Sequence, residues 1–167
     1  MSSIASILPI RLSNLIIALG CALLMATALY MQHQLGLEPC PLCMTQRVAV
    51  IAVGLVAGVA FLHNPAGTMR RVYAGLGAIL GVLGGSVSTR QLWLQSLPED
   101  QVPACGPSLE YMLETFPLAD TLRVMLQGDG NCAEVVWTFL GLSIPAWTLV
   151  AFVGLVAVNL WQMLRRA

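Results

Sequence analysis

The chain has 167 residues, 57% of them hydrophobic and only 10% charged, with a mean hydropathy of +0.80. A soluble domain of this length needs more charge to cover its surface, so the composition points to a membrane protein. Net charge is zero, with no lysine and no basic run, which argues against nucleic acid as a partner.

The first apolar stretch, Leu12 to Met31, has the ~20 residues needed to cross a hydrocarbon core of about 30 Å. Ala26-Thr27-Ala28 within it has the small-residue pattern of a signal-peptidase site. The stretch is longer than the roughly 7–15 residues of a signal h-region, so it reads as a retained span. Then comes EPCPLCMTQR, residues 38–47, followed by a shorter apolar run from Val48 to Leu62. A short loop, HNPAGTMRR, leads to a third stretch, Val72 to Thr89. A long loop from about Ser96 to Ser143 precedes the last, Ile144 to Leu164. The expectation is an all-α, four-transmembrane-helix bundle forming a single membrane domain over residues 1–167. Its spans lie at about 12–31, 46–63, 72–92 and 144–164, its external loops at about 32–45 and 95–143, and its cytoplasmic loop at about 64–71.

Charge sets the orientation. Arg11, Arg70, Arg71, Arg165 and Arg166 flank one side, whereas every acidic residue falls in the first or the long loop. Arginine and lysine mark cytoplasmic flanks, so both termini are expected inside and both cysteine-bearing loops outside. Gly54 and Gly58, then Gly77, Gly81 and Gly85, follow a small-xxx-small spacing that lets helices approach closely in lipid. Trp93, Trp147 and Trp161 sit near span ends, as interfacial anchors do.

In the long loop Leu109, Met112, Leu113 and Phe116 recur at helical spacing. They predict a short amphipathic helix, lying on the outer membrane surface or packed on its own loop. Of the five cysteines, Cys21 lies mid-span with no polar neighbour at helical spacing and reads as a small buried hydrophobe. Cys40 and Cys43 fall in the first external loop, Cys105 and Cys132 in the second. An even set of thiols facing an oxidising compartment implies disulfides. Cys105 and Cys132 are too far apart in sequence to supply the second close pair of a zinc site, so no metal is expected. Ordinary staples are the plainer alternative. Closing a loop as long as that between Cys105 and Cys132 would stabilise by about 3–4 kcal/mol.

The CxxC pair fits a staple less well, because so small a ring gains little entropy. Pro41 suits the first position of a helix, which puts Cys40 near the N-cap and Cys43 in the first turn, where the helix dipole favours a thiolate. Arg47, four residues beyond Cys43, shares its helical face. A cation there makes Cys43 the better thiolate and leaving group. The run Val48 to Leu62 covers only about 22 Å at the helical rise, so Met44 to Arg47 must be drawn towards the hydrocarbon boundary. An arginine at that depth marks a functional site, with snorkelling of its head group to the surface as the plainer alternative. The motif reads as a junction between thiol chemistry and the membrane.

Four spans, a CxxC followed by arginine, and a long second loop with two further cysteines together resemble the DsbB family of membrane disulfide bond formation proteins, over nearly the whole chain. The resemblance implies a protein dithiol:quinone oxidoreductase of the bacterial inner membrane, with both cysteine loops periplasmic. Its partners would be a periplasmic thioredoxin-like protein of the DsbA type and a membrane quinone, ubiquinone or menaquinone. It further implies that the partner attacks Cys105 of a Cys105–Cys132 disulfide, that freed Cys132 attacks Cys40, and that Cys43, with Arg47, interacts with the quinone. Some relatives carry a histidine after the third span; Trp93-Leu94-Gln95-Ser96 contains none, so a general-acid role is not carried over. His33 and His63 lie at opposite ends of the expected bundle, which argues against a shared haem. Two other readings remain at this level: a tetraspan assembly protein with stapled loops, and an enzyme like the vitamin K epoxide reductases. The latter usually carry their CxxC late in the chain, whereas here it comes early.

Overall fold

The computed structural model describes residues 9–107 and 109–165. In chain order the elements are α1 (Ile10–Gln34), α2 (Pro41–His63), α3 (Gly67–Gln95), α4 (Leu109–Thr115), α5 (Leu118–Gln127), the strands β1 (Thr138–Phe139) and β2 (Leu142–Ser143), and α6 (Ile144–Leu164). Helices α1, α2, α3 and α6 are each long and apolar enough to cross a membrane. The fold is therefore the all-α, four-span bundle that the composition implies. Helix α3 runs beyond its apolar stretch at both ends and carries Gln91 and Gln95 towards the cysteine-bearing loops.

Lipid as the outer solvent explains the surface. Leu23, Leu55 and Leu62 are 69%, 65% and 76% exposed, which would be costly in water and is neutral against acyl chains. The bundle interior carries the polar groups instead: Gln46, Ser88, Gln91, Asn159 and Gln162 are all buried. Helix α2 packs between α1 and α3, and α3 packs along α6. The α3–α6 seam depends on small residues. A Cβ on Gly77 would strike the Asn159 amide, one on Gly81 would strike Val156, and one on Gly84 would collide with the Phe152 ring. Of the other glycines read as small contact positions, Gly54 faces Cys21, Gly85 has ordinary contacts with α6, and Gly58 faces open space. Cys21 is buried in the apolar cluster with Ile17, Val50, Val53, Ala57 and Phe152.

The long loop holds more structure than its pattern predicts. The expected helix is present as α4, and a second helix, α5, follows it after Pro117. Met112 turns inwards while Leu113 and Phe116 are exposed. Helix α5 is tied to the bundle, because Thr45 Oγ1 donates to the Met125 carbonyl at 2.8 Å and Arg90 Nε to the Gln127 carbonyl at 3.3 Å. Gly128 follows with φ +77°. A Cβ there would press on Leu42 and Leu94, so glycine lets the loop turn down onto the end of α2. A two-residue hairpin between β1 and β2 then leads into α6, and Trp147 Nε1 donates to the Phe139 carbonyl at 3.0 Å. Its turn, Leu140-Gly141, has both residues at positive φ and lacks the Asn-Gly signature that would announce it.

Candidate functional site

The site is built on the first turn of α2. Cys40 is the N-cap with extended backbone, Pro41 opens the helix, and Cys43 N–H donates back to Cys40 Sγ at 3.4 Å. The cap bond holds the two sulfurs on one side of the helix end, 2.9 Å apart. Helix α3 closes over them. Gln91 Nε2 lies 3.3 Å from Cys40 Sγ and 3.3 Å from Cys43 Sγ, and Gln46 Nε2 donates to Gln91 Oε1 at 2.7 Å.

The long loop brings a third sulfur. Cys132 is fully buried against Leu42 and Leu94 at the α2 end and shares a hydrogen bond with the Cys40 thiol. With the cysteines as free thiols, Cys132 is held below the usual thiol range. The Cys40 hydrogen bond is the main cause, and the backbone N–H groups of Leu42 and Asp129 add to it against the opposing effects of burial and the Asp129 carboxylate. The same contact pushes Cys40 up.

Cys105 stands apart, exposed on the loop surface. Its segment is clamped to the one bearing Cys132. Asp129 Oδ2 accepts from the Gly106 N–H and from Asn131 Nδ2, both at 3.2 Å, and Gly130 N–H donates to the Ala104 carbonyl at 3.2 Å. A Cβ on Gly130 would come 3.0 Å from both the nitrogen and the sulfur of Cys105, so the two strands of loop touch. One loop thus presents an exposed sulfur and a buried one.

Arg47 is on α2 as its spacing requires, but its guanidinium reaches across to α1. It donates to Gln32 Oε1 and, at 3.2 Å, to the Ala28 carbonyl. There it lines a cavity of about 130 Å³ together with Cys43, Gln46, Val50 and apolar residues of α1 and α6 such as Met25 and Ile144. A wider apolar groove of about 400 Å³ shares Leu24, Ala28, Met31, Ile144 and Thr148 with this cavity and adds Trp137, Phe139 and Trp147. Cys43 therefore faces a mostly apolar chamber with Arg47 and Glu38 on its lining and a greasy extension between α1 and α6. On the other side of the dithiol a smaller space of about 40 Å³ is lined by Cys40, Cys43, Gln91, Gln95 and the 131–137 segment.

The structure thus brings Cys40, Cys43 and Cys132 together, leaves Cys105 at the surface nearby, and sets Arg47 on the chamber wall rather than on the sulfur. Sequence reasoning missed Gln91 as a neighbour of the sulfurs. It lies 48 positions from Cys43, and its only local signal is a polar residue at the end of an apolar stretch. Among the described residues no group of three or more histidine, cysteine, aspartate or glutamate side chains is arranged to hold a metal ion.

The family described as disulfide bond formation protein DsbB matches residues 10–162. Curated relatives called disulfide bond formation protein B include one from Saccharophagus degradans, 59% identical over 94% of this chain and 95% of its own length. Another, from Hahella chejuensis, is 56% identical over 95% and 99%, and one from Stutzerimonas stutzeri is 55% identical over 89% and 91%.

Proposed function

The chain belongs to the DsbB family of disulfide bond formation proteins, and on that premise we propose that it reoxidises a periplasmic thioredoxin-like dithiol protein of the DsbA type and delivers two electrons to membrane quinone. At the coarser level it is a multi-pass membrane protein with an oxidoreductase role in disulfide formation. In the proposed setting it is a single domain of the bacterial inner membrane. Its arginine-flanked ends lie in the cytoplasm and its cysteine loops in the periplasm.

The observation that carries the reading is the sulfur order: Cys105 exposed, Cys132 buried on Cys40, and Cys40 against Cys43. A folded protein partner reaches only the first of these. Its thiolate attacks Cys105, the Cys105–Cys132 bond breaks, and Cys132 leaves as a thiolate. Cys132 is already in contact with Cys40. It attacks Cys40 Sγ, the Cys40–Cys43 bond breaks, and the electron pair passes to Cys43, which faces the apolar chamber. The partner's second thiol resolves the mixed disulfide and frees Cys105. Cys105 closes back on Cys132 and releases Cys40, and the Cys40–Cys43 bond re-forms as two electrons leave.

In this reading the chamber would take ubiquinone or menaquinone, with its apolar wall for the ring, the Arg47 guanidinium for a carbonyl oxygen and the adjoining groove for an isoprenoid tail. Quinone bound there supplies a two-electron, two-proton acceptor. The chain's own residues hold the donor: the α2 cap fixes the sulfur pair, and Arg47, anchored on α1, presents a fixed positive charge towards oxygen.

Purified protein given a reduced thioredoxin-like partner should reduce added ubiquinone, and Cys43→Ala should stop this while leaving the protein folded. Quinone reduction that survives Cys43→Ala, or its absence in the native protein, would leave only an assembly role with stapled loops.

A further inference from the structure

We propose that Gln46 and Gln91 form an oriented amide pair that positions and stabilises negative charge on the Cys40–Cys43 sulfurs, a task distinct from that of Arg47. The inference rests on the reading of Cys40 and Cys43 as the redox pair.

A glutamine amide can offer a sulfur either its nitrogen, a donor, or its oxygen, an acceptor. At Gln91 the choice is made by the neighbour. Gln46 Nε2 donates to Gln91 Oε1 at 2.7 Å, which holds Gln91 Nε2 towards both sulfurs at 3.3 Å, while the Cys43 thiol keeps only a longer contact of 3.7 Å with Gln91 Oε1. Both glutamines are nearly inaccessible, at 4% and 3% exposed, so water does not compete for these groups. Two N–H donors aimed at a sulfur pair interact weakly with a neutral disulfide and strongly with a thiolate. The pair is therefore tuned to the reduced, ionised state, and it is in place before the charge develops.

Arg47 acts on the sulfurs through its charge alone, because its guanidinium N–H groups go to Gln32 and to the Ala28 carbonyl on α1. The sulfurs are supported from α3 and the chamber is charged from α1. Two buried glutamines in a membrane bundle also serve simply as links between helices. Such a link would not tune sulfur chemistry, and that difference makes the proposal testable.

Two readouts on the full-length protein, taken without partner or quinone, separate these roles. One is the rate at which Cys43 is alkylated by a small iodoacetamide at neutral pH, in a Cys40→Ala background. The other is the reduction potential of the Cys40–Cys43 pair against dithiothreitol buffers. Gln91→Leu should slow alkylation about tenfold, in line with the loss of a hydrogen bond to a charged group, and should shift the potential by about 30 mV towards the reducing side. Gln46→Leu should slow alkylation about threefold, by freeing the Gln91 amide to turn its oxygen to the sulfurs. The double variant should match Gln91→Leu alone, because Gln46 acts through Gln91. Unchanged alkylation and potential in folded Gln91→Leu, or losses that simply add in the double variant, would overturn the proposal. Should Gln91→Leu not fold, Gln46→Leu decides, since it keeps Gln91 beside the sulfurs and removes only the bond that orients its amide, and no change there would also overturn the proposal. Failure of quinone reduction in the native protein would leave these two readouts untouched.

Discussion

The two cysteine-bearing segments solve opposite problems. The first carries Cys40 and Cys43 on the capped start of a long membrane helix, closed over by α3 and fixed by side chains from two helices. The second carries Cys105 and Cys132 on a loop that is docked on the bundle at Cys132 and open to the outside at Cys105. A rigid mount suits a pair that must meet a small acceptor in a fixed chamber. A loop with one exposed and one buried sulfur suits a pair that must meet a large partner at Cys105 and the first pair at Cys132.

The contrast can be broken at several points. The largest effect is expected from Cys40→Ala. It removes the sulfur that Cys132 touches, so electron delivery to quinone should fall to background in a steady-state assay, while the partner still forms a mixed disulfide at Cys105. Next is the mount itself. Gly84→Val drives a side chain into the Phe152 ring, and overpacking of this kind costs about 1–3 kcal/mol. The thermal unfolding midpoint in detergent should drop, with the loop chemistry unchanged in the molecules that stay folded. Arg47→Gln should weaken quinone use about tenfold, the scale of a lost charge-assisted contact. It should leave attack on Cys105 unaltered in a stopped-flow measurement of mixed-disulfide formation; equal loss of both steps would contradict the separate placement of Arg47.

The smallest expected effect concerns pH. Cys132 is held below the usual thiol range, chiefly by the Cys40 hydrogen bond. In the reduced protein the 13Cβ signal of labelled Cys132 should therefore titrate at a lower pH than an unperturbed thiol, and Cys40→Ala should move it back up. The sign follows from linkage. A depressed folded value stabilises the reduced fold fully above the unfolded thiol's pKa, and that contribution is lost as pH falls through the folded value.

Much of the rigid half is legible in the sequence, because its determinants are local. Cys40, Pro41 and Cys43 define a helix start within four residues, and the apolar stretches announce four spans. What escapes is set by distant partners. Gln91 comes to the sulfurs only because α3 extends beyond its apolar run and packs on α2. Arg47 obeys its helical spacing, yet its long side chain finds Gln32 and the Ala28 carbonyl on a neighbouring helix that periodicity cannot see. The loop half is harder still. Pro117 marks the break between α4 and α5, but the predicted elements stop short of α5, and the Leu140-Gly141 hairpin carries no Asn-Gly signature.

The central claim is that Cys132 passes the exchange to Cys40, and Cys105→Ala tests it most directly, because Cys132 then has no partner in its own loop. Alkylation under denaturing conditions, followed by mass-spectrometric mapping, should find a population with a Cys40–Cys132 bond and Cys43 as the labelled free thiol. If Cys132 is instead the labelled thiol in every molecule and Cys40 stays bonded to Cys43 throughout, the relay through Cys132 is contradicted.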